Sequence, residues 1–78
     1  MSIEHLVRMA NDIADYFHSE PDLELAVAGV SDHMKKFWDP RMRRQLLAHW
    51  RARGGEGLSE LALAAVARLG ELDGARRA

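Results

Sequence analysis

Apolar residues recur along most of this chain at helical spacing. Ile3, Leu6, Val7, Ala10, Ile13, Ala14 and Phe17 follow the i, i+3, i+4, i+7 rule. Glu4, Arg8, Asp12 and Asp15 lie opposite them and Ser2 is placed as N-cap, so a first amphipathic helix is predicted over about 3–18. Met9 and Tyr16 fall on its flank, at the edge of the core. A second helix is predicted over about 20–38, opened by a capping-box-like Ser19 with Pro21 in its first turn. Its stripe is Leu23, Ala26, Val27, Val30, Met34, Phe37 and Trp38, and Leu25 points away as an exposed apolar residue. Gly29 interrupts this helix at a cost of about 1 kcal/mol relative to alanine, which close approach of a neighbouring helix would offset.

Asp39-Pro40 ends that helix and begins the next. The residue before a proline is pushed away from helical angles, while Asp39 suits an N-cap and Pro40 the first helical position. The third helix, about 40–53, turns Met42, Leu46, His49 and Trp50 inward with Leu47 at the edge. Arg41, Arg44 and Arg51 share its opposite face, and Gly54-Gly55 stops it. A fourth helix, about 60–69, has Ser59 as N-cap and Leu58 placed to staple onto Leu63. Leu61, Ala62, Ala65, Val66 and Leu69 face inward, but Leu63 and Ala67 lie on the other side. A helix apolar nearly all round implies burial on two sides, and in so small a bundle a second protein is the expected cover. The pattern predicts an all-α protein: one small four-helix domain over 1–70 with short loops, and a frayed, flexible tail over 71–78.

Composition narrows the function more than the fold. The chain has 78 residues, 47% hydrophobic and 29% charged, the balance of a folded domain. It has no cysteine, so disulfides, a thiol nucleophile and cysteine-held metals are out of reach. No apolar run approaches a membrane span and Glu4 stands where a signal peptide would be basic, so a cytoplasmic location is expected.

The net charge of −1 conceals a segregation. Residues 1–34 balance to −6, residues 35–55 to +6, and residues 56–78 to −1. Catalytic patterns are lacking. His5, His18, His33 and His49 form no i, i+3 or i, i+4 pair, Ser2, Ser19 and Ser59 read as caps, and no strand precedes the Gly54–Gly57 run. The expectation is a non-enzyme with no catalytic, cofactor-binding or metal site of its own.

The basic run from Lys35 to Arg53 admits three readings. It can be a solvated face that balances the acidic helices. It can also be a nucleic-acid surface with the third helix as recognition helix, against which stand the isoelectric point of about 6.4 and the acids of residues 1–34. The third is a docking surface for a protein partner, where arginines and aromatics are preferred anchors. Phe37, Trp38 and Met42 beside the arginines favour docking. For Trp38 itself, core packing is the favoured role over partner contact.

The string Lys35-Lys36-Phe37-Trp38-Asp39-Pro40-Arg41-Met42-Arg43-Arg44-Gln45-Leu46 resembles the hallmark segment of the delta subunit of soluble NAD-dependent formate dehydrogenase. The segments Leu6–Ala14, Ala26–Val30 leading to His33, and Gly54–Ser59 resemble that family too, so the likeness covers roughly residues 4–69. It implies a non-catalytic accessory subunit of a cytoplasmic molybdenum or tungsten enzyme that oxidises formate and reduces NAD. The pterin cofactor, iron–sulfur clusters, FMN and NAD are then expected in the partner subunits. The expected partner is the catalytic alpha subunit, whose assembly, cofactor maturation or stability this chain would support. The expected partner-binding residues are Phe37, Trp38, Asp39, Pro40, Arg41, Met42, Arg43 and Arg44, with Leu63 and Ala67 on the fourth helix. Self-association of the isolated chain and a small nucleic-acid-binding module remain the alternatives.

Overall fold

A computed structural model describes residues 2–77, with side chains through Leu72. Four helices follow one another: α1 (Ile3–Phe17), α2 (Leu23–Phe37), α3 (Pro40–Arg53) and α4 (Glu60–Arg77). Among the described residues there is no strand, and the all-α expectation holds. The Cα radius of gyration is 11.5 Å, and a compact chain of this length is expected at about 11.5 Å. The helices close on one core.

That core is Leu6, Ala10 and Ala14 of α1, Val30 and Met34 of α2 with its C-cap Trp38, Leu46 and Leu47 of α3, and Ala62, Ala65, Val66 and Leu69 of α4. α4 is the central element and packs on all three other helices. This accounts for much of its apolarity from within the chain, and Leu63 and Ala67 are half-buried in the domain itself. Leu47, placed at an edge by periodicity, is a core residue.

Two other stripe residues leave the core. Leu23 and Phe37 keep the inward azimuth of α2 but are its first and last residues, and they are 67% and 73% exposed. Periodicity reports the direction of a side chain, not whether a neighbour is present at that height. Leu25 is exposed as expected.

The caps match the sequence at three of four helix starts. Ser2 accepts from the His5 N–H, Asp39 from the Arg41 N–H at 2.8 Å, and Ser59 from the Ala62 N–H. At α2 the cap is Asp22 instead of Ser19: its Oδ1 accepts from Glu24 N–H at 3.0 Å and Leu25 N–H at 3.4 Å. Pro21 keeps Glu20 out of helical angles, so the helix cannot begin until the proline has passed. Gly54 ends α3 at φ 66°, a left-handed angle that glycine adopts without a Cβ clash.

Gly29 marks a close approach. A Cβ there would lie 2.5 Å from Phe17 Cε1, so the gap lets the α1 ring lie against the α2 backbone. Gly70 does the same for α4, where a Cβ would lie 2.9 Å from Trp50 Cη2. Gly70 is thus a buried residue inside α4, which runs past the expected end at residue 69 as far as Arg77. The frayed tail expected over 71–78 falls mostly outside the described side chains.

One tie across the fold had no signal in periodicity. Asn11 Nδ2 donates to the Gly57 carbonyl at 3.0 Å, and its Oδ1 accepts from the Ser59 N–H at 2.9 Å. A single amide in α1 thereby holds the loop that launches α4. Asn11→Ala is expected to lower stability by about 1–2 kcal/mol, with Asn11→Asp, which keeps only the acceptor, between the two. Urea unfolding of the three proteins measures the order.

Candidate functional site

The site begins at the chain's sharpest corner. Trp38 is the C-cap of α2 and Asp39 the N-cap of α3, both extended, so the helices are joined by two residues. α2 and α3 make little contact with each other and pack on α1 and α4 instead. Beyond that shared packing, the corner itself must tie the two helix ends together.

Two residues do this from inside. Trp38 is 5% exposed and lies in the core cluster, so its indole is an anchor and not a surface. Arg43 turns back onto α2: its Nη1 donates to the carbonyls of Trp38 at 2.7 Å, Lys35 at 3.1 Å and Met34 at 3.3 Å. Nη1 carries two protons, so one is shared and the Trp38 bond is the principal one. The Met34 carbonyl already accepts from the Trp38 N–H; at this helix end the guanidinium adds a further donor and a positive charge against the negative end of the dipole. Arg43 occupies the first place of the stripe Arg43, Leu46, Leu47, Trp50, and that i, i+3, i+4, i+7 register was the missed signal that it faces inward.

The remaining residues face water. Phe37 projects from the end of α2 with its ring against His33, centroids 4.8 Å apart. Arg41 and Arg44 are exposed on α3, Lys36 is exposed on α2, and none of the three side chains has an ion-pair partner among the described residues. α3 contains no acid at all. Pro40 is exposed, and Met42 is half-buried against the core. The corner thus divides into an inner half (Trp38, Met42, Arg43, with Asp39 as cap) and an outer half (Phe37, Pro40, Arg41, Arg44). Leu63 and Ala67 are not at the corner; Leu63 covers Gly55 beside Leu58, as a staple would.

Histidine chemistry is absorbed into structure where contacts exist. His49 Nε2 lies 2.8 Å from the Glu56 carbonyl, which can only accept, so that nitrogen is the donor. Among the described residues no group of three or more His, Cys, Asp or Glu side chains is gathered to hold a metal ion. No described helix is long and apolar enough to cross a membrane.

The fold and corner define a small all-helical domain with an arginine–aromatic surface joined to its core through two adjacent residues. Residues 5–66 match the family described as NADH-dependent formate dehydrogenase delta subunit FdsD, and the chain belongs to that family. No curated protein and no solved structure matches it.

Proposed function

We propose that this chain is a non-catalytic accessory subunit of a cytoplasmic NADH-dependent formate dehydrogenase complex, docking on the catalytic alpha subunit to support its assembly, cofactor maturation or stability. Membership of the delta-subunit family over residues 5–66 is the observation that carries this reading. The outer half of the corner is the docking surface. Phe37 is a rigid aromatic that the fold leaves exposed, and Arg41 and Arg44 are cations without ion-pair partners among the described residues. Aromatic and arginine side chains of this kind dominate binding energy in protein interfaces. The pterin cofactor, with molybdenum or tungsten, the iron–sulfur clusters, FMN and NAD belong in this reading to the partner subunits.

Co-expression with the alpha subunit tests the proposal. The wild-type chain is expected to co-purify with it, and Arg41→Glu with Arg44→Glu to weaken association about 100-fold or more through charge reversal at two interface positions. Both arginines are exposed, so the double variant should keep its thermal midpoint. Full association and full cofactor loading with the variant would remove the corner from the interface. Salt-dependent retention of DNA or RNA by the purified domain would instead favour a nucleic-acid role for α3.

A further inference from the structure

The opposite end of α2 holds a second surface, of the opposite charge. The last turn of α1, the start of α2 and the start of α4 enclose an open groove of about 520 Å³. Ala14, Ala26, Leu61 and Ala64 line it, with the exposed Leu23 among them. Small side chains from three helices leave room for another chain to come close to the backbone, and the exposed leucine supplies apolar contact.

Charge selects the occupant. Asp15, Glu20 and Glu60 rim the groove together with His18. The carboxylates of Asp15 and Glu60 have no partner among the described residues. Between Arg8 and Lys35 the sequence has no lysine or arginine, so the surroundings supply no internal counter-charge from that stretch. The α1 terminus adds to this: its last turn has no basic residue, whereas α2 ends in Lys35 and Lys36 and α3 in Arg51 and Arg53. Its carbonyls therefore present the negative end of a helix dipole with no lysine or arginine in that turn. The positive ends of α2 and α4 oppose it, and Asp22 and Glu24 at the start of α2 and Glu60 at the start of α4 offset them.

We infer that this groove is a second docking site, and that it takes a lysine- or arginine-rich amphipathic segment of a partner protein, apolar face inward and cations on the acidic rim. The site is independent of the outer corner: α2 separates them by 15 residues, about 22 Å along a helix axis. The two ends of α2 then engage surfaces of opposite charge, which lets one small domain bridge two acceptors.

The test uses the purified full-length chain and a fluorescent peptide with leucine and lysine at helical spacing, followed by anisotropy. A second peptide has the same composition scrambled to break its apolar face. The ordered peptide is expected to bind at least about tenfold more tightly than the scrambled one, and Asp15→Lys with Glu60→Lys to abolish that preference. Asp32→Lys, a reversal on another face, and the corner variant Arg41→Glu with Arg44→Glu are expected to leave it intact. Equal binding of both peptides, or equal loss with Asp32→Lys, would mean general charge attraction and overturn the proposal. A concentration-dependent sedimentation shift abolished by the groove variant would assign the groove to a second copy of this chain and overturn it as well. None of these outcomes depends on co-purification with the alpha subunit, so the groove and the corner fail separately.

Discussion

Trp38→Ala is expected to be the most damaging single substitution at the corner, and Phe37→Ala beside it one of the mildest. Trp38 is 5% exposed within the main cluster, whereas Phe37 is 73% exposed. Truncating a buried tryptophan typically costs about 3–5 kcal/mol in lost transfer energy and cavity. A domain of this length has roughly 4–12 kcal/mol to lose. The thermal midpoint should therefore fall by roughly 15–30 °C, while Phe37→Ala should move it by only a few degrees. Circular dichroism melts of both variants, with the wild type alongside, give the comparison. A Trp38→Ala midpoint within a few degrees of wild type would mean that the indole is not a core residue. In the docking assay the order reverses, since Phe37→Ala removes an exposed anchor without touching the fold.

The reason such a division was hidden in the sequence lies in what periodicity measures. Leu6, Ala10, Val30, Met34, Leu46 and Val66 were all legible as core, because each recurs at helical spacing with neighbours a turn away on both sides. Leu23 and Phe37 have the same spacing but stand at helix ends, where direction no longer guarantees cover. α4 shows the converse. Its apolar belt suggested a second protein, yet three helices of its own chain surround it. A central helix and an interface helix carry the same composition, and only packing distinguishes them.

Polar residues were legible where the chemistry is local and illegible where it is not. Ser2, Asp39, Ser59 and Gly54 act within three or four residues of themselves, and type and position sufficed to place them. Ser19 lost its place to Asp22 because Pro21 constrains the residue before it, a local rule that was on the page and outweighed by the capping-box pattern. Asn11 reaches Ser59 across the fold, and no sequence spacing announces that bond. The exposure of Arg41 and Arg44 was legible from the outward face they share on α3, while the groove at the other end of α2 has no sequence signal because its walls come from three separate helices.

Arg43→Met should destabilise the domain by about 2–3 kcal/mol, the second large effect expected at the corner. Methionine keeps an apolar stem against the core but removes the donors to the Trp38, Lys35 and Met34 carbonyls. Hydrogen bonds from a charged donor contribute about 1.5–3 kcal/mol, and partly buried carbonyls left without a partner add to the loss. The effect is concentrated at the junction because α2 and α3 scarcely touch otherwise. Arg43→Lys should recover only part of it, since an ammonium is a point charge and lacks the planar fork that spans several carbonyls. Arg41→Met and Arg44→Met, exposed and without ion-pair partners among the described residues, should stay within about 0.5 kcal/mol of wild type. Urea midpoints for the four variants measure the stability order, and amide exchange in the last turn of α2 locates the damage. Arg43→Met should speed exchange of the Trp38 N–H, whose bond to the Met34 carbonyl closes that helix at 3.0 Å. Equal stability of Arg43→Met and Arg41→Met would mean that the inward guanidinium does not hold the corner, and that Arg43 belongs with the outer arginines.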